Sequence, residues 1–213
     1  MPLKMKSGFT LLALSCGVVL SACGGNTSKP ASSVSVEAEK SGPWSLSRDE
    51  SGMSFITTKN NSVSEIGTFT ALDGEVSEAG AAKFTIVIDT INTNNEIRDP
   101  RMRQYLFKTD QNPYISVTAT LDLNGFKDME TGERRTTLLA YNLGLNGMSE
   151  TKESYVMVTR LGVNKVLVEN KAPVIIDAAD FGLEGGVEQL RELANLHNIT
   201  PTVPVTFSLV FER

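Results

Sequence analysis

Lys83-Phe84-Thr85-Ile86-Val87-Ile88-Asp89 decides the class of fold. In an extended chain successive side chains point to opposite faces, so Phe84, Ile86 and Ile88 fall on one side and Thr85, Val87 and Asp89 on the other. The same alternation continues outward in both directions. Upstream, Met53, Phe55 and Thr57 share a face, as do Val63, Gly67 and Phe69. Downstream the pattern returns at Ile115, Val117, Ala119 and Leu121, then at Leu139, Tyr141, Leu143 and Leu145. Tyr155, Met157 and Leu161 follow, and Val205, Phe207, Leu209 and Phe211 close the series. Turn-forming residues separate these runs at Asn60-Asn61, Asp73-Gly74, Ala79-Gly80, Asn124-Gly125, Asn146-Gly147 and Gly162, where hairpin chains reverse. The order is that of a meander, without the strand-helix alternation of a parallel sheet.

Two segments leave the strand pattern. Asp99 is placed to cap a short helix with Pro100 in its first turn, covering Arg101 to Phe107. Gly185 to His197 sets Val187, Leu190 and Ala194 on one helical face with Leu193 beside them. An all-β chain of eight or so antiparallel strands closes into a barrel wide enough for one small ligand, or folds as a two-sheet sandwich with a packed core. Periodicity alone fits both.

Ahead of this domain, residues 1–22 read as an export segment: Lys4 and Lys6, an apolar run from Phe9 to Leu20, then Ser21 and Ala22. The run is interrupted by Thr10, Ser15, Cys16 and Gly17 and is shorter than the roughly 20 residues of a spanning helix. Leu20-Ser21-Ala22-Cys23 looks like the lipobox of bacterial lipoproteins, in which the cysteine is acylated and becomes the first mature residue. Two or three acyl chains on Cys23 anchor stably, since each buried methylene contributes about 0.8 kcal/mol. Residues 23–43 then form a Gly-, Ser- and Lys-rich tether spanning on the order of 25 Å. Gly24 stands where an inner-membrane retention signal places an aspartate, so the expected location is the periplasm, on the outer membrane of a Gram-negative envelope. With Cys16 removed and Cys23 acylated, the folded domain, residues 44–213, has neither thiol nor disulfide.

Composition removes several functions. The net charge of −5 and the lack of a basic aromatic patch argue against nucleic acid. His197 is the single histidine, expected near the end of a helix, and no His-Cys-carboxylate spacing suits zinc. Asp177 and Asp180 flank a turn and have no partner that would explain acid/base work. Trp44, the one tryptophan, opens the first strand and is expected to plug the fold. A non-enzymatic role is the expectation.

Segments in consistent order and spacing resemble the YceI family of bacterial periplasmic lipid-binding proteins. They are Trp44-Ser45-Leu46, Gly67-Thr68-Phe69 with Gly74-Glu75-Val76, and Val87-Ile88-Asp89-Thr90-Ile91 with Thr93-Asn94 and Arg98-Asp99. Asn112-Pro113-Tyr114-Ile115, Leu143 with Asn146-Gly147, and Ala179-Asp180-Phe181-Gly182 follow. The resemblance implies an extended antiparallel eight-stranded lipocalin-like barrel with two short helices, its elongated apolar cavity holding a polyisoprenoid chain such as that of a quinone. The chain departs from the family pattern where Arg101 replaces a histidine, where Leu106-Phe107 replaces an aromatic pair, and in the length of its second helix.

A receptor for such a chain needs dry aliphatic and aromatic walls with a few polar groups at the mouth. Phe55, Phe69, Phe84, Ile86, Ile88, Ile115, Val117, Leu143, Tyr155 and Phe207 are the candidate lining, with Asn94, Arg98 and Asp99 at the rim. Within that rim, Arg98 is expected to pair with a carboxylate. The expected function is a membrane-anchored carrier or reservoir whose ligand is a polyisoprenoid or quinone, with no covalent cofactor beyond the lipid on Cys23. The competing expectation is an envelope lipoprotein with a filled barrel and a protein partner; a dimer is left open.

Overall fold

The structure is a computed structural model that describes residues 38–213. The export segment, Cys23 and most of the tether lie outside the described residues. One antiparallel sheet contains β1 (Trp44–Leu46), β2 (Gly52–Lys59), β3 (Val63–Phe69), β4 (Leu72–Val76), β5 (Ala81–Val87), β6 (Ile91–Asn92) and β7 (Tyr114–Thr120). It continues with β8 (Arg134–Leu145), β9 (Met148–Gly162), β10 (Lys165–Asn170), β11 (Val174–Asp177) and β12 (Thr202–Glu212).

These twelve strands are eight staves, four of them kinked. The first stave, β1 and β2, breaks at a 3-10 turn, Arg48–Glu50, and the second, β3 and β4, breaks at Thr70-Ala71. The third, β5 and β6, breaks at the 3-10 turn Ile88–Thr90, and the seventh, β10 and β11, breaks at residues 171–173. Each stave pairs with the next in sequence, and β12 returns to pair with β1 (Leu46 with Phe211) and β2 (Phe55 with Val205). Closure leaves no long free edge at the outer staves. The meander and the barrel are therefore as expected, and the sandwich is not.

Turn chemistry accounts for most reversals. Asn146 (φ 53°) and Gly147 (φ 74°) form the two-residue link between Leu145 and Met148, where both positions need positive φ. Asp73-Gly74 is different: it lies inside β4, with Gly74 opposite Phe84. Glycine suits the crowding there, since a Cβ would sit 3.1 Å from the Phe84 ring and 3.3 Å from the Phe211 ring, tight enough that the rings would have to shift by a few tenths of an ångström.

Two helical segments cover one end of the barrel. α1 (Arg98–Arg101) runs into a π-helical segment, Met102–Phe107, and α2 is Glu184–Leu193. Asp99 does not cap α1; Asn95 does, its Oδ1 accepting from the backbone N–H of Ile97 (3.1 Å) and Arg98 (3.0 Å). α2 stops short of His197 because Asn195 turns left-handed (φ 51°) behind it. The His197 N–H then donates to Asn60 Oδ1. Gly186 lets α2 approach the π-helical segment: a Cβ there would lie 2.8 Å from both Leu106 Cα and Tyr105 O. Among the described residues no helix is long and apolar enough to cross a membrane.

Candidate functional site

Inward-facing residues of every stave surround a cavity of about 1040 Å³. Ordinary small-molecule pockets run roughly 300–1,000 Å³, so the barrel is not filled by its own side chains. The wall follows strand parity. Phe55, Phe69, Phe84, Ile86, Ile115, Val117, Leu143 and Phe207 all line it, each on the face that the alternation assigns.

Two of the expected lining residues do not. Ile88 sits in the 3-10 turn between β5 and β6, is fully buried, and has its N–H bonded to Pro113 O at 2.9 Å. The kink takes it out of the strand register that the alternation presumed. Tyr155 faces outward, 56 % exposed, paired across the sheet with exposed Leu138. β9 carries apolar residues on both parities, and Ser154, Val158 and Arg160 line the cavity instead. The alternation also understated β10, where Val166 and Val168 line the wall but Leu167 between them blurs the signal, and α2, where Val187 and Leu190 complete it.

Aromatic packing stiffens one side. The Phe55 ring lies directly over Gly67 on the neighbouring strand, where a Cβ would be 2.3 Å from Cζ. Phe55 and Phe69 have ring centroids 5.4 Å apart, and Phe69 meets Phe107 edge-on at 6.5 Å. Such pairs contribute about 0.5–1.5 kcal/mol beyond area burial.

At the helical end the polar groups are held by one another. Glu65 receives Lys59 Nζ at 3.0 Å and also pairs with Arg98 Nη1. Arg98 further donates from Nε to Thr93 Oγ1 (2.7 Å) and from Nη2 to Thr93 O (2.8 Å). Burial works against ionisation of Glu65, yet the hydrogen bonds and charges of Lys59 and Arg98 outweigh it and hold the carboxyl below its ordinary range. Of the three expected rim residues, only Arg98 borders the cavity. Asp99 accepts from the Thr93 N–H (3.1 Å) and hydroxyl, buttressing Arg98 from behind. Asn94 occupies an exposed left-handed turn position (φ 55°) with its N–H on Asn92 Oδ1.

Trp44 stands at the opposite end, where the exposed side chains of Glu75, Glu78, Lys83 and Lys127 also border the cavity. The guanidinium groups of Arg213 and buried Arg160 lie 4.4 Å and 5.8 Å from the Trp44 ring centroid, both cation–π contacts. Arg160 donates to Val163 O (3.1 Å) and Phe126 O (3.3 Å), fixing the loop after β7 over this end. The Asn164 side chain donates to Ala38 O (2.8 Å) and accepts from the Lys40 N–H (2.7 Å), so the last tether residues are pinned here.

Among the described residues no group of three or more His, Cys, Asp or Glu is placed to hold a metal ion. Asp177 accepts from its neighbouring Ala179 N–H, and Asp180 pairs with Lys152 at 2.7 Å. Chemically the site is a mainly apolar chamber, with Glu65, Lys59 and Arg98 ion-paired at its helical end.

A model of the YceI-like domain family matches residues 44–211. No curated protein is significantly similar to the chain. Among solved structures, a polyisoprenoid binding domain from Saccharophagus degradans, implicated in plant cell wall breakdown, is 36% identical with a TM-score of 0.78. The match covers 79% of this chain and 97% of that one. BcnA of Burkholderia cenocepacia shares the fold at 16% identity, with a TM-score of 0.59 over 78% of this chain and 98% of its own. The chain belongs to the YceI-like domain family.

Proposed function

We propose that this protein shelters a polyisoprenoid chain, such as a quinone tail, inside its barrel, and acts as a membrane-tethered periplasmic carrier or reservoir without catalysing a reaction. The observation that carries the reading is the chamber of about 1040 Å³ walled by aliphatic and aromatic side chains. A prenyl chain has almost nothing to hydrogen-bond, so a dry wall suits it. Burying on the order of 400 Å² of apolar surface yields about 10 kcal/mol at 25 cal/mol per Å² before association costs of about 4–15 kcal/mol. The polyisoprenoid-binding domain 36% identical to this chain supports the same ligand class. A barrel filled by side chains, the rival expectation, finds no support in so large a chamber. Anchoring through Cys23 rests on the lipobox-like Leu20-Ser21-Ala22-Cys23.

The test is lipid mass spectrometry on protein purified without detergent exchange, together with titration by a prenylated benzoquinone. Trp44 is the sole tryptophan and borders the chamber, so a quinone inside it quenches intrinsic fluorescence. A saturable one-to-one quench is expected of this chamber. Trp44→Phe is the control for which signal is read. Protein that extracts without lipid and gives no saturable quench refutes the proposal.

A further inference from the structure

The barrel wall has a seam. β10 pairs with β9 from Lys165 down to Asn170 opposite Val156, and one more bond, Lys171 N–H to Tyr155 O (2.9 Å), ends that contact. Beyond it the seventh stave kinks at residues 171–173. β11 then pairs with β12 only, while β9 from Met148 to Tyr155 pairs with β8 only. A second cavity of about 610 Å³ lies in this gap.

Its lining places it at the free edge of the wall. Lys152, Glu153, Ser154 and Tyr155, four consecutive residues of β9, all border it, as do Val174 and Ile175 of β11. Consecutive residues of a strand face opposite sides of a sheet, so a space that touches both sets sits at a free strand edge. Tyr141, Ser154 and Val174 line this cavity and the main chamber alike. Ser154 Oγ is buried there without a hydrogen-bond partner. The outer lip carries exposed Tyr155 and Ile175, with Leu138 across the sheet from Tyr155, beside the charged Glu153 and Lys171, whose Nζ lies 5.8 Å over the Tyr155 ring. Below the seam, Lys152 Nζ pairs with Asp180 and lies 5.8 Å over the Phe181 ring, tying β9 to the turn that follows β11.

We infer that the seam between β9 and β11 is a lateral portal through which a flexible apolar chain slides between a lipid bilayer and the chamber, with the Lys152–Asp180 pair as its latch. The inference rests on the proposed lipid-carrier reading. Parting two strand edges that share no ladder breaks no backbone hydrogen bonds. At the helical end, by contrast, Met102, Leu106, Val187 and Leu190 of the helical segments pack against the chamber. An apolar tail passing sideways also never has to cross the ion pairs at the helical end.

The test uses the full chain carrying Glu153→Cys and Pro173→Cys, outward-facing residues on the two sides of the seam, joined by a short, reductant-cleavable bis-methanethiosulfonate linker. The chain without these substitutions, treated identically, controls for Cys16 and Cys23. Transfer of a prenylated benzoquinone from phosphatidylcholine vesicles is followed by Trp44 quenching. Linking is expected to slow transfer severalfold relative to the same protein after reduction, because opening then limits the rate, with the final extent of quenching unchanged. Asp180→Asn, which removes the latch without bulk, is expected to speed transfer roughly two- to fivefold, the factor that a partly exposed ion pair supplies. Equal rates before and after reduction, with full quenching, overturn the portal and leave the carrier intact. Absence of quenching in the unmodified chain overturns the carrier, and the portal with it.

Discussion

Gly67→Ala puts the chamber wall under a defined load. The new Cβ would stand 2.3 Å from Phe55 Cζ and 2.7 and 2.8 Å from the adjoining ring carbons, against an ordinary carbon–carbon separation of about 3.5–4.0 Å. The ring must retreat by more than about 1 Å. Its backbone is fixed by the β2–β3 ladder, while the chamber lies open beside it, so the ring swings inward. Overpacking costs about 1–3 kcal/mol, and losing the Phe55–Phe69 contact accounts for about 0.5–1.5 of that. A net loss of about 2 kcal/mol lowers the melting temperature by about 4–8 °C in a domain of this size. The displaced ring also occupies ligand space. Forfeiting about 40 Å² of apolar contact is worth about 1 kcal/mol, a roughly fivefold weaker hold on a prenylated quinone. Gly125→Ala, where a Cβ meets nothing within 4 Å, serves as the control. Calorimetry and Trp44 quenching read the two effects. If Gly67→Ala melts with the control and binds the quinone as tightly as the parent chain, the account of a ring poised over a glycine beside empty space is wrong.

Adjacent glycines in α2 should respond with opposite signs. Gly186→Ala drives a Cβ into the Leu106 and Tyr105 backbone and should destabilise by about 1–3 kcal/mol, while Gly185→Ala meets nothing and should stabilise by about 0.4–1 kcal/mol in denaturant unfolding. Glu65 has a lowered carboxyl, so its contribution is present above the ordinary glutamate value of 4.5 and is lost as pH falls through and below it. Melting temperature should therefore drop more steeply on acidification in the parent than in Glu65→Gln; parallel profiles would dismiss the triad. Cys23→Ser should move the protein from membrane pellet to soluble fraction, and continued sedimentation with membranes would count against acyl anchoring.

Much of the wall was legible because a barrel with a wet outside and a dry inside imposes a period of two. Where a stave has apolar residues on one parity, as at Phe84 and Ile86 or at Leu139 to Leu145, the inward face is readable directly. Where both parities are apolar, as at Tyr155 in β9 or Leu167 in β10, the pattern is silent about which side meets the chamber. Local turn signals fared similarly. Asn146-Gly147 reverses the chain, but Asp73-Gly74 carries the same local signature and lies within a strand, since its glycine answers to Phe84 and Phe211 from distant segments.

Residue order by itself determined the meander, the two helical interruptions and the apolar character of the enclosed face, since these follow from side-chain periodicity and backbone preference along a short stretch. Tertiary structure alone decided that the staves kink, that Ile88 leaves the wall, that Glu65 joins Lys59 and Arg98, and that β9 and β11 part. Those outcomes depend on registers between segments far apart in the chain and on whether facing side chains meet across the middle. Whether a ring of apolar faces encloses a chamber or packs solid is set by its circumference and the volumes around it, a sum over the whole barrel that no single stretch contains.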